Sequence, residues 1–65
     1  MMIRQLQSVA RNQTSNENCV RAFVAFSLFL SRAPGDIAGA MNEAAYDLDV
    51  EDAPEFEQMM AAIAA

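Results

Sequence analysis

Apolar side chains recur at intervals of three and four near the start of the chain, at Met2, Ile3, Leu6, Val9 and Ala10. This spacing places them on one face of an α-helix. A run of polar residues, 12–16, then interrupts the pattern, and side chains of this kind compete for backbone hydrogen bonds and favour turns. The pattern predicts a short amphipathic helix over about residues 2–12, followed by a connection.

The next segment is the most apolar part of the chain. Thr14 and Glu17 have the spacing of a capping box, which predicts a helix over about residues 15–32. Its apolar positions cover nearly the full circumference, apart from a stripe formed by Arg21, Ala25, Leu28 and Arg32. Helices that are apolar on all sides are buried. We therefore expect this helix to lie at the centre of a core larger than one chain can build.

Two further helices are predicted in the second half of the chain. Pro34 disfavours helical backbone at the residue before it and suits the first turn of a new helix. Helical spacing then continues to Leu48, which predicts a helix over about residues 34–48. Asp52 followed closely by Pro54 is typical of a helix start and predicts a helix over about residues 53–64. The fold class is all-α, a compact bundle of three to four short helices in a single domain, 1–65.

The small size of the chain predicts that something supplements its core. A domain of 65 residues buries only about 60% of the surface that its unfolded chain exposes. Cys19 is the only cysteine and histidine is absent, so neither an internal disulfide nor a zinc cluster is available. We expect homodimerisation to complete the bundle. The expected self-association residues are the large apolar ones of the second helix, Phe23, Phe26, Phe29 and Leu30.

Charge is divided sharply between the two halves of the chain. Residues 1–33 hold all four basic residues and one acid, whereas residues 34–65 hold eight acids and no base, for a net charge of −5. Phosphate repels so acidic a surface, which disfavours nucleic acid as a partner. A larger protein with a basic surface would instead be attracted. The expected partner-binding acidic surface comprises Glu43, Tyr46, Asp47, Asp49, Glu51, Asp52 and Glu55, with Tyr46 as a contact anchor.

The residues that carry catalysis are missing. Histidine and lysine are absent, and a buried thiol at the start of an apolar helix, as expected for Cys19, is inert. Asp47, Asp49 and Glu51 alternate as in a calcium loop, but Asp52 stands where the loop needs glycine and Gln58 where it needs glutamate. We expect no enzyme activity, cofactor or metal.

The apolar window 19–30 is too short to span a membrane, and with no export signal the expected location is cytoplasmic.

Three functions remain open. The first is a small acidic protein-binding regulator or inhibitor that blocks a basic surface of a larger host protein. Small size, divided charge and the absence of catalytic groups are typical of accessory proteins of phages or mobile elements. The second is a structural or assembly subunit that acts through helix-mediated oligomerisation. The third, ranked last, is a helical DNA-binding dimer, because four arginines are few and no helix clusters the side chains that read base edges.

Overall fold

Helices account for most of the chain, as the apolar spacing predicts. The computed structural model describes residues 2–65, which form four α-helices, one turn of 3-10 helix and no strand. The elements are α1 (Ile3–Arg11), α2 (Glu17–Arg32), α3 (Ile37–Ala45), the 3-10 helix (Val50–Asp52) and α4 (Ala53–Ala64). The all-α prediction is confirmed. Met1, which the predicted domain includes, lies outside the described residues.

The start of α2 differs from the predicted capping box at Thr14 and Glu17. Asn16 is the N-cap residue, and its side-chain oxygen accepts hydrogen bonds from the backbone N–H groups of Asn18 and Cys19. Thr14 lies too early to cap, and its hydroxyl accepts the backbone N–H of Asn16 at 3.0 Å. Glu17 pairs with Arg11 instead. The predicted capping box is therefore wrong, because a better-placed asparagine satisfies the first turn.

Helix α3 is shorter at both ends than the predicted 34–48. Gly35 adopts a positive φ of 90°, so Pro34 and Gly35 form the turn between helices, not the first turn of α3. Asp36 caps the helix by accepting the N–H of Gly39 at 2.9 Å. At the other end α3 stops at Ala45, since no basic residue lies in its last turn and Asp47 would place negative charge at the negative end of the helix dipole.

Helix α4 has the predicted bounds, with Pro54 in its first turn. Asp52 precedes it as expected, but its carboxylate makes no side-chain cap to α4. That carboxylate instead accepts the backbone N–H of Asp49 at 2.9 Å and so closes the 3-10 helix. The acidic connection between α3 and α4 is consequently folded into a defined turn.

The core forms around the first half of α2. α1 and α3 lie against α2, and α4 contacts both α1 and α2. The largest fully buried side chains are Phe56, Val20 and Cys19. The radius of gyration is 10.7 Å, close to the roughly 11 Å expected for a compact chain of this length. One chain therefore closes a core around residues 19–23, while residues 24–30 of α2 stay half-buried.

Candidate functional site

The most exposed large apolar side chains of the described residues lie among acids. Tyr46, the residue after α3, is 80% exposed, and Val50, the first residue of the 3-10 helix, is 91% exposed. Exposed carboxylates stand around them in the sequence, at Glu43, Asp49 and Glu51. We call residues 46–51 the acidic segment. It joins two exposed apolar side chains to several charges on one short, structured connection.

Two residues of the predicted acidic surface make contacts within the chain. Asp52 accepts hydrogen bonds from the side-chain amides of Asn16 and Asn18, both at 2.9 Å. Glu55 accepts the hydroxyl of Thr14, and its other oxygen accepts the Asn16 amide at 3.3 Å. We call this set of side chains the polar latch. It ties the turn between α1 and α2 to the start of α4.

The polar latch sets the electrostatics of its surroundings. Hydrogen bonds from Asn16, Asn18 and the backbone N–H of Asp49 lower the pKa of Asp52, because they stabilise its charged form. Beneath the latch, burial and the neighbouring charges of Glu55 and Asp52 raise the pKa of the Cys19 thiol. The thiolate is therefore disfavoured, which makes the thiol a poor nucleophile. Asp52 and Glu55 therefore stabilise the fold through the polar latch as well as adding negative charge to the surface.

A groove of about 510 Å³ adjoins the acidic segment at Asp47. Its floor is apolar and comes from α2, at Val20, Val24, Ala25 and Leu28. Polar side chains border it, namely Gln7, Arg11, Glu17, Arg21 and Asp47. Asp47 thus belongs both to the groove border and to the acidic segment, so the two surfaces adjoin. Sequence analysis recognised part of this floor only as the stripe along α2.

The four arginines share one side of the α1–α2 pair. Arg4 lies seven positions before Arg11 on α1, and Arg21 eleven positions before Arg32 on α2, and both spacings return a helix to nearly the same face. Arg11 pairs with Glu17 at 2.8 Å, which raises the pKa of the guanidinium and lowers the pKa of the carboxylate. Arg21 donates to the side chain of Asn18. Within residues 2–65, Arg4 and Arg32 make no salt bridge.

The predicted self-association residues occupy different environments. Phe23 is 7% exposed and belongs to the chain's own core. Phe26 is partly buried against that core. The ring of Phe29 lies so close to Gly39 that a Cβ atom there would be 2.6 Å from the ring carbon Cζ. Phe29 and Leu30 are half-buried. Phe23 has little surface left to offer a second chain, and self-association through the others stays a prediction.

Sequence reasoning missed the exposed position of Val50 and the contacts that Thr14, Asn16 and Asn18 make with α4 and the turn before it. Val50 carries a signal, because it is a lone β-branched residue inside an acidic connection with no helical spacing to bury it. Thr14, Asn16 and Asn18 carry no such signal, since their partners in the latch lie 34 to 41 positions away. Only the packing of α4 against the turn brings them together.

Comparisons with protein-family models, with curated proteins and with solved structures found no match. Across residues 2–65, none of the helices combines the length and apolar character that a membrane span needs. The same residues hold no group of three or more carboxylates or thiols placed to bind a metal ion.

Proposed function

We propose that the protein is a small regulator or inhibitor, of the accessory type carried by phages and mobile elements, that binds a basic surface of a larger protein. The binding surface is the acidic segment together with Glu43. Tyr46 and Val50 supply apolar contact, while Glu43, Asp49 and Glu51 supply charge that complements a basic partner. Asp52 and Glu55, which the sequence places in the same surface, act mainly by holding the segment in shape.

The observation that carries this proposal is the exposure of Tyr46 and Val50. Leaving the Tyr46 and Val50 side chains in water forgoes the favourable free energy of burying apolar surface. Aromatic side chains are also enriched among the residues that dominate binding. Carboxylates around such anchors favour a partner with lysine or arginine around an apolar pocket. The connection is also anchored at both ends, by α3 and by the polar latch, which limits the entropy lost on binding.

The test is to place a photo-crosslinking phenylalanine analogue at position 46 and to irradiate the cells in which the protein naturally occurs. The crosslinked protein is then purified and its affinity measured by calorimetry. We expect one major partner with a basic surface and an affinity that falls as salt rises. The triple variant Glu43→Gln, Asp49→Asn and Glu51→Gln should bind at least tenfold more weakly, while its helical circular dichroism stays unchanged.

Matched single variants separate the acidic segment from general negative charge. Glu51→Gln lies in the segment, whereas Glu57→Gln removes the same charge from an exposed position of α4. Only the first should weaken binding. Equal affinity of the triple variant and the unmodified protein, or equal effects of the two single variants, would contradict the proposed binding surface.

A further inference from the structure

The groove and the acidic segment have complementary chemistry. The groove has an apolar floor with arginines on both flanking helices, and the acidic segment presents Tyr46 and Val50 among carboxylates. Arg11 and Arg21 border the groove together with two carboxylates, Glu17 and Asp47. Arg4 and Arg32 lie on the same faces of α1 and α2 as these two arginines, so four arginines stand on this side of the helix pair. A segment that is apolar and acidic fits such a surface better than a basic one would. The chain therefore carries both a receptor surface and a segment suited to it.

We propose that the groove of one chain binds the acidic segment of a second copy, and that the exchange is reciprocal. In a two-fold dimer, residue i of one chain contacts residue j of its partner while j contacts i. Two complementary surfaces that adjoin, as these do at Asp47, can face each other in both directions across a two-fold axis. Asp47 already places one carboxylate of the acidic segment beside the arginines of its own chain.

This dimer would mask the surface proposed for the partner. Tyr46, Val50, Asp49 and Glu51 would be covered by the arginines and the groove floor of the second copy, so that partner binding and dimerisation compete. The basic surface of a partner would then replace the chain's own arginines. Competition between the dimer and a partner rests on the proposed function, whereas formation of the dimer does not.

Charge predicts the conditions that favour the dimer. Two chains of net charge −5 repel each other at long range. At about 0.15 M salt the Debye length is about 8 Å, which screens that repulsion while leaving close contacts between opposite charges. At about 1 M salt the length falls to about 3 Å, and the dimer should weaken.

The experiment measures molar mass by sedimentation velocity across a concentration series, on two charge-reversed proteins. One protein carries Arg21→Glu and Arg32→Glu, which reverse two of the four arginines. The other carries Asp49→Arg and Glu51→Arg, which reverse two charges of the acidic segment. We expect the unmodified chain to dimerise and each variant alone to be at least tenfold weaker in self-association, because like charges then face each other. An equimolar mixture of the two variants should form a heterodimer. The unmodified acidic segment of the first variant then meets the unmodified arginines of the second, and the arginines introduced at positions 49 and 51 meet the glutamates introduced at positions 21 and 32.

The controls keep the outcome decisive. Glu57→Arg reverses one charge outside both surfaces and should leave the dimer unchanged, while circular dichroism confirms that every variant is folded. An unmodified chain that stays monomeric at all concentrations would overturn the proposal. So would a dimer that persists in both reversed variants, or one abolished by Phe26→Asp alone, which would place the interface on the phenylalanine side of α2. None of these results depends on the partner of the proposed function.

Discussion

The side-chain amide of Asn16 donates to the carboxylate of Asp52 across 36 positions of sequence, at 2.9 Å. The side-chain oxygen of Asn16 caps α2, because it accepts hydrogen bonds from the backbone N–H groups of Asn18 and Cys19. One side chain therefore starts α2 and also fastens α4 to the turn before it. Because α4 brings Phe56 and Met59 into the core, the latch links a polar surface contact to core packing.

Replacing Asn16 with alanine should cost more than an ordinary helix cap. Loss of a cap alone costs about 1 kcal/mol, and Asn16→Ala also removes the amide donors to Asp52 and Glu55. We expect the free energy of unfolding to fall by about 2 kcal/mol, measured by urea denaturation. Asn42→Ala is the matched control, because Asn42 is exposed on α3. Equal stability of the two variants would refute the double role of Asn16.

Stability should depend on pH through Asp52. Its pKa is lowered in the folded state by the hydrogen bonds of Asn16, Asn18 and Asp49, whereas an unfolded aspartate titrates near about 3.9. The folded chain thus binds fewer protons, so the stabilisation is present above about pH 4 and is lost as pH falls through the folded pKa.

The variant Asp52→Asn checks this linkage by thermal unfolding. Its melting temperature should lie below that of the unmodified protein at pH 7, and the difference should shrink between about pH 5 and pH 2. Some pH dependence remains, because Arg11 lowers the pKa of Glu17 as well. Glu57→Gln serves as control. Parallel melting profiles for Asp52→Asn and the unmodified protein would show that this carboxylate gives no pH-dependent stabilisation.

Cys19 should report opening of the latch. Its thiol is buried, and burial, Glu55 and Asp52 all raise its pKa. Alkylation of the native protein should therefore be slow and limited by opening of the structure. In Asn16→Ala the rate should rise more than in Asn42→Ala, since α4 is less firmly held over the thiol. Mass spectrometry over time measures the rate. Identical rates in these two variants would mean that the latch does not protect Cys19.

Gly39 should resist replacement although it lies inside a helix. Alanine normally gains about 1 kcal/mol over glycine there, but its Cβ would lie 2.5 Å from Oδ2 of Asp36 and 2.6 Å from Cζ of Phe29. The cap at Asp36 and the packed ring must both move. We expect Gly39→Ala to lower the free energy of unfolding by about 1 kcal/mol, because overpacking outweighs helix propensity.

A double variant tests the cause of that loss. Phe29→Leu shortens the side chain beside Gly39, so Gly39→Ala should cost less in that background. Gly35→Ala is the contrasting case, because its φ of 90° disfavours alanine while nothing lies within 4 Å of the added Cβ. Its cost should not change with Phe29→Leu. A Gly39→Ala protein that is more stable than the unmodified chain would contradict the close packing of α3 on α2.

Local signals were enough to predict the helices, but not how they end or what joins them. The bounds of α4 follow from Pro54 and an alanine-rich run. α3 was overextended because helical spacing continues to Leu48, which packs inward from a turn. In the candidate site, the charge pattern located the acids, yet it could not separate exposed Glu51 from hydrogen-bonded Asp52. That distinction depends on Asn16 and Asn18, which reach Asp52 only after the chain folds.

Phe56 provides the most severe test of how far one chain supports its own core. The side chain is 2% exposed and belongs to the core cluster with Val20 and Phe23. Phe56→Ala should cost about 3–5 kcal/mol. A domain of this length has only about 3–10 kcal/mol in total. We expect a large unfolded fraction at 25 °C by circular dichroism, whereas Ile37→Ala, at a position 53% exposed, should change stability by less than about 1 kcal/mol. If Phe56→Ala remained fully folded at a concentration too low for self-association, α4 would contribute little to the core and the latch could not couple to it.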